Sequence, residues 1–412
     1  MNLELFIARR LYGTRKGARR ISRPAVAIAQ WGVSIGAAVM FVSICIIVGF
    51  KHQIRDKITG FGGDIQIMDC SAGLESETPI TADKIFIERL AATNGVSHVQ
   101  CYAGKPGMIV AGNEYEGIIV KGIGENYDLT FFKQHIIEGE IPHFSDSVAS
   151  NAIVISRSIA SKLNAKPGER INIYFLQDGI KARKMRVAAI YETHLSDMDN
   201  IIALSDIYTT RKLNNWNNEQ ATAIEIRTND FDHHYDVRER IDSTVAQASG
   251  IDKEVLYLPT IEELYPALFG WLGMLDQTVW IILILVLCIA GFTMISGLLI
   301  LILEKTNLIG ILKAIGAKDV SIIRVFLCYA CFIVGKGIVV GNIIGATLCL
   351  IQQQFRIISL DPEMYYMDRV PIEFTWLLLP MNIFMFILSV VMLTLPSMLI
   401  SKIEPSKAIK FE

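Results

Sequence analysis

Residues 279–303 contain no charged side chain, and a run of that length is buried most readily in a lipid bilayer. The ~30 Å hydrocarbon core of a bilayer accepts about 20 apolar residues as a helix. Three further stretches reach that length, at 25–50, 322–350 and 374–400. Lys336 interrupts the third run, and Pro380 and Pro396 interrupt the fourth. With hydrophobic residues at 52% of 412, the expected fold is a polytopic α-helical membrane protein with four transmembrane helices. The first run is longer than a signal-peptide core, and the VGFKHQIRDK that ends it offers no small-residue cleavage site, so it reads as a retained helix.

Basic residues beside the spans set the expected orientation. Arg9, Arg10, Arg15, Lys16, Arg19, Arg20 and Arg23 precede the first span; Lys305, Lys313, Lys318 and Arg324 follow the second; Lys402, Lys407 and Lys410 follow the fourth. These regions are assigned to the cytoplasm. Asp361, Glu363, Asp368 and Glu373 place the loop between the last two spans outside, while Lys51, Arg55 and Lys57 count against this arrangement. The expected map is a basic cytoplasmic segment at 1–24, helix one at 25–50 and an α+β extracytoplasmic domain at 51–259. A stalk with helix two follows at 260–303, then a cytoplasmic helix at 304–320, helix three at 321–350, an outer loop at 351–373, helix four at 374–400 and a tail at 401–412.

The large insertion alternates apolar residues in short runs: GMIVAG, EGIIVKGI, AIVISRS, ERINIYF, KMRVAAIY and ATAIEIRT, each read as a strand. TADKIFIERLAATNG and SRSIASKLNA read as helices between them, and two lobes are expected. No H-E-x-x-H, G-x-S-x-G or paired-cysteine metal spacing occurs, and no G-x-x-x-x-G-K-[ST] is present, VGKGIVVG included, to cradle a nucleotide phosphate. The adjacent His233 and His234 of DFDHHYDVRER point to different helix faces, and the motif, with Asp232 and Asp236, reads as a solvated helix start, while ETHLSDMDN reads as a turn. No catalytic, cofactor or metal residues are therefore assigned, and nothing in the charge pattern points to nucleic acid. The seven cysteines form no framework; whether Cys70 and Cys101 are bonded stays open.

LPTIEELYPALFGWLGMLDQTVW leads into the second span. Thr260 and Glu263 have capping-box spacing, and Leu264, Leu268, Trp271 and Leu275 recur at helical intervals. One helix from about Ile261 to Leu303 is expected, its first turns a stalk whose stripe packs on the inserted domain or lines a cleft. Lys336 deep in a span faces a cavity or partner, or snorkels to the interface. Between the second and third spans, EKTNLIGILKAIGAK places Leu308, Ile309, Leu312 and Ile315 on one helical face. Glu304 suits the start of that helix and Gly316 its end. The face either docks a partner or rests on lipid headgroups.

EKTNLIGILKAIGAK resembles the cytoplasmic coupling segment of MacB-like ABC-transporter permeases, with its E-K, central G-I-L-K and terminal G-A. LELFIARRLYGTRKG, NAIVISRSIASKLNAKPGERINIYF and LPSMLISKIEPSKAIKF extend the resemblance to nearly the whole chain. LDPEMYYMDRVPIEFTW is similar to a segment of the lipoprotein-releasing (Lol) permeases. The resemblance implies a non-enzymatic permease of the bacterial inner membrane, its termini cytoplasmic, paired with a second copy or a sister permease. Two ABC ATPase subunits binding ATP and Mg would dock on Glu304, Lys305, Leu308, Ile309, Gly310, Leu312, Lys313 and Gly316. A lipoprotein would enter from membrane lipid into a cleft implicating Phe41, Ile44, Val48, Leu264, Leu268, Trp271 and Leu275, and leave to a periplasmic carrier. The same layout implies, as an alternative, a MacB/FtsX-like permease that exports another amphiphile or regulates a periplasmic hydrolase.

Overall fold

The computed structural model describes residues 4, 6–9, 22–70, 78–111, 114–176, 179–248 and 256–397. Of the basic residues used for orientation, Arg10, Arg15, Lys16, Arg19, Arg20, Lys402, Lys407 and Lys410 lie outside these, as does the expected tail at 401–412. Two compact units emerge: Met1–Lys51, Trp271–Ser359 and Val370–Glu412 form one, and His52–Gly270 with Leu360–Arg369 form the other.

The first unit is helical. Its main helices are Ser22–Gly62 (α1), Pro266–Glu304 (α2), Thr306–Ala314 (α3), Asp319–Phe355 (α4) and Leu378–Ser397 (α5). The ends of α1 from His52 and of α2 up to Gly270 belong to the second unit. Among the described residues three helices, α1, α2 and α4, are long and apolar enough to cross a membrane. α5 is a shorter apolar helix at the fourth expected span, and residues beyond 397 lie outside the description, so the structure establishes three such helices and not the fourth.

α1 does not stop at residue 50. Its 41 residues span about 62 Å at ~1.5 Å each, twice the bilayer core. The extension is stabilised by Ile54, Ile58 and Phe61, spaced at helical intervals and almost fully buried. It ends where Gly63 takes a left-handed backbone (φ 72). The single stalk helix expected from Ile261 is likewise corrected. The Thr260–Glu263 capping box is present but caps only Ile261–Leu264. Tyr265 leaves helical geometry (φ −122, ψ 58), because Pro266 excludes the residue before it from the α region, and α2 restarts with that proline in its first turn.

Small residues bring α1 and α4 together. Gly337, Gly341 and Gly345 repeat every four residues along one side of α4, facing Val33, Ser34 with Ala37, and Phe41. This close approach suits an interface that gains its energy from packing rather than from expelling water. Around it Val33, Ala37, Ile44, Phe326, Val334 and Leu393 form the core of the unit.

The second unit is built on one ten-stranded sheet among the described residues. Its order is Leu256–Tyr257, Ile65–Asp69, Ala223–Thr228, Val96–Ala111, Glu114–Ile123, Ile202–Asp206, Ala152–Ser156, Ile180–Tyr191 and Ile136–Gly139, with Arg170–Leu176 pairing the long strands Val96–Ala111 and Ile180–Tyr191. All the strands expected from alternation are present. Ile202–Asp206 was not expected; it is fully buried and parallel to Glu114–Ile123. One continuous sheet carries two separate hydrophobic cores, one around Ile109, Ile155 and Phe175 and the other around Ile67, Leu90 and Ile241. Cys70 and Cys101 are free thiols.

Candidate functional site: the coupling helix and the ends of the long helices

α3 is a nine-residue helix between two helices about four times its length. Glu304 closes α2 instead of opening α3, and Lys305 occupies the N-cap without a side-chain cap. The C-terminus is firmly made. Gly316 is left-handed (φ 93), and the amides of Gly316 and Ala317 donate to Lys313 O and Leu312 O, both at 3.0 Å. This paired closure needs a residue without Cβ strain at Gly316.

The apolar face expected on this helix is divided. Ile309 and Gly310 are buried and Leu312 packs on the core of the helical unit, Leu308 is half-buried, and Ile311 and Ile315 are exposed at 44% and 79%. A helix joined directly to α2 must bury one stripe against its neighbours, which leaves the opposite side for other contacts. Lys313, with only 10% of its side chain exposed, pairs with Asp319 at 2.9 Å at the start of α4.

The residues assigned to the cleft occupy different settings. Phe41 and Ile44 are buried at 8% and 2%, Phe41 against Gly345 and edge-on to Phe374 at 6.3 Å, and Val48 packs on the same core. Trp271 and Leu275 are half-buried in the helical unit; Leu264 and Leu268 belong to the second unit, with Leu268 buried. An apolar groove of ≈ 40 Å³ lies between α1, α2 and α5, against Gly36, Met40, Trp280, Ile284, Phe384 and Met385. Lys336 lies on the exposed side of α4.

In the second unit the end of α1 is gripped by a buried charge. Lys121 Nζ lies 2.5 Å from Glu225 Oε1, both side chains less than 5% exposed, and donates to the carbonyl of Phe61. The cation thereby meets the unpaired carbonyls of a helix C-terminus. Glu225 Oε2 accepts from Gln100 Nε2 and Tyr127 OH, both at 2.9 Å, and the rings of Tyr102 and Tyr127 flank the ammonium at 4.5 and 5.2 Å. Burial lowers the Lys121 ammonium and the Glu225 carboxylate opposes that; burial also raises the Tyr102 and Tyr127 phenols well above their ordinary range. Cross-strand register brings Gln100 opposite Glu225, and sequence alternation gave no sign of this group.

The three basic residues that ran against the expected orientation are engaged within the protein. Lys51 pairs with Asp276 at 2.6 Å. Arg55 lies 4.7 Å from the Phe231 ring and 3.6 Å from Asp232. Lys57 Nζ donates to Thr193 O and Tyr366 O at 2.7 and 2.6 Å. The DFDHHYDVRER motif is a helix start, as expected, but also an anchor: Phe231 stacks on His234 and Phe269, and Tyr235 and Arg238 bond Glu262 and Glu263, each at 2.8 Å.

Burial lowers the Lys57 ammonium from the usual lysine range to about 8, against the carboxylates of Asp199 and Asp368. Lys57 lies beyond the span expected at 25–50. The unfolded chain therefore holds this proton up to about pH 10.4 while the folded chain releases it near 8. Because the unfolded state then binds more protons, stability rises with pH across that window and carries the penalty below it. A Lys57→Met variant is expected to lack this rise, worth about 3 kcal/mol, in unfolding curves recorded from pH 7 to 10.

Residues 27–244 match the family described as MacB-like periplasmic core domain, and residues 280–405 match the FtsX-like permease C-terminal family. The chain is 19% identical to the lipoprotein-releasing system transmembrane protein LolC of Xylella fastidiosa over 92% of each chain. It is 21% identical to LolE, of the same system in Haemophilus influenzae, again over 92% of each. With the pyoverdine export ATP-binding/permease protein PvdT of Pseudomonas putida it shares 24% identity over 80% of its own length and 51% of that protein.

Proposed function

We propose, from the premise that this chain belongs to the MacB-like family of ABC-transporter permeases, that it extracts lipoproteins from the outer leaflet of the bacterial inner membrane and passes them to a periplasmic carrier. The chain crosses the membrane four times with both termini cytoplasmic, and pairs with a second copy or a sister permease. Two ABC ATPase subunits, holding ATP and Mg, dock on α3. Their closure pushes on α3, and α1 and α2 carry the movement to the inserted domain. The lipoprotein, with its acyl chains, enters from the membrane beside the residues assigned to the cleft, Phe41, Ile44 and Val48 on α1 and Leu264, Leu268, Trp271 and Leu275 around the start of α2. Each CH₂ removed from lipid counts for about 0.8 kcal/mol, so release of several chains calls for ATP hydrolysis.

The observation that carries this reading is the division of α3, with Ile309 in the core of the apolar helices and Ile311 and Ile315 outward. End-to-end similarity to LolC and LolE supports the lipoprotein substrate. The test is purification from native envelopes in mild detergent, with mass spectrometry of co-purifying proteins. Wild type is expected to bring an ABC ATPase and acylated lipoproteins. Ile311→Asp with Ile315→Asp should reduce the ATPase at least tenfold while leaving chain stability within about 0.5 kcal/mol, as is usual for exposed positions. Undiminished ATPase would refute docking on α3; an ATPase with a hydrolase and no lipoprotein would refute the substrate.

A further inference from the structure

Leu360–Arg369 connects α4 to α5 in the sequence, yet packs as part of the unit that contains the inserted domain. Its short helix, Pro362–Tyr365, is closed by the amides of Tyr365 and Tyr366 donating to Asp361 O and Pro362 O, each at 3.0 Å, and Leu360 N donates to Asp368 O at 3.0 Å. Apolar burial contributes little. Among its described side chains only Met367 is buried, while Met364 and Tyr365 are 70% and 40% exposed.

The segment's Tyr366 carbonyl accepts from Lys57, and so does Thr193 of the inserted domain. The Thr193 acceptor is held in place. Asp199 Oδ2 takes the amides of Thr193 and His194 at 3.0 Å each, and Oδ1 takes the Thr193 hydroxyl at 2.7 Å. His194 and Tyr366 are both left-handed, φ 63 and 58, a conformation that non-glycine residues keep when their surroundings hold it. One half-buried ammonium, with three donors on a single nitrogen, thus serves two backbone turns distant in sequence.

We propose that Lys57 is a positioning residue that fastens Leu360–Arg369 to the inserted domain through the end of α1, so that the α4–α5 connection moves with that domain. The fastening also shapes a polar cavity of ≈ 720 Å³, in which Asp361 and Pro362 of the segment face Arg157, Glu192, His194 and Asn200. Under the transporter reading, on which this consequence rests, α4 and α5 acquire their own link to the domain.

Hydrogen exchange on the full chain in detergent micelles tests the fastening without any ATPase. In Lys57→Met the amides of Leu360, Tyr365 and Tyr366 are expected to exchange at least tenfold faster, while amides of Val96–Ala111 keep their rates, because losing a desolvated charge offsets the lost bonds. Lys57→Arg, which keeps charge and donors, should stay within threefold of wild type. Unchanged segment rates in Lys57→Met would overturn the proposal. So would faster exchange of Val96–Ala111 as well, since Lys57 would then support the whole unit. With the ATPase and a lipoprotein added, Lys57→Met is expected to lose at least tenfold in release per ATP hydrolysed, and Lys57→Arg to recover it. If wild type releases nothing, the transporter reading fails and the exchange result stands.

Discussion

Lys121→Met is expected to lower the unfolding free energy of the chain by about 3–5 kcal/mol, because removal of one partner strands a buried charge. Glu225 is 1% exposed and its second oxygen is already committed to Gln100 and Tyr127, so no water replaces the lost ammonium. The Phe61 carbonyl at the end of α1 loses its donor in the same step. Thermal unfolding in micelles should show a fall of roughly ten degrees, from the usual relation between stability and melting temperature. The double variant Lys121→Met with Glu225→Leu should recover only part of this: a buried ion pair gains little over apolar residues of similar volume, but Gln100 and Tyr127 lose the acceptor they share. A single variant that melts like wild type would mean that the carboxylate finds solvent or a proton, and that the network does not secure α1.

Gly341→Ala should be the most damaging small substitution in the helical unit. The added Cβ would lie 2.4 Å from Ser34 O and 2.6 Å from the Ala37 Cβ. Both obstacles belong to α1 at its backbone or one bond from it, so no rotamer change clears them and the helices must separate. A loss of about 2–3 kcal/mol is expected for such overpacking. Gly335→Ala on the same helix meets only a Phe386 ring carbon at 3.9 Å. It should be neutral or gain up to about 1 kcal/mol from helix propensity. Unfolding of the two variants side by side separates the contact from any general effect of glycine in α4; equal stabilities would show that α1 and α4 are not held at this distance.

Much of the helical architecture is legible in the chain because lipid burial and helix ends depend on neighbouring residues. Long apolar runs locate α1, α2 and α4, Gly316 marks the end of α3, and Thr260 with Glu263 makes the expected cap. The length of α1 was legible too, from Ile54, Ile58 and Phe61, but the charges of Lys51, Arg55 and Lys57 obscured it. The Gly337, Gly341 and Gly345 repeat begins in VGKGIVVG, and its four-residue spacing is the mark of a small-residue interface. Proline 266 carried the break at Tyr265 in the same way. The strand Ile202–Asp206 was less accessible, since so short an apolar run depends on partners far along the chain.

By itself the sequence determined that this is a membrane chain with long apolar helices, a large α+β insertion and a short amphipathic helix after the second span. Those properties follow from hydrophobic periodicity, turn chemistry and length, each set by residues close together. Only the tertiary structure decided which side of α3 is free, that Phe41 and Ile44 pack inward, that Lys121 meets Glu225, and that Lys57 joins Thr193 to Tyr366. These pairings link residues as many as 309 positions apart. An ammonium or a carbonyl carries no local mark of the partner it will meet; that choice is made when the sheet register and helix packing bring the two into hydrogen-bond reach.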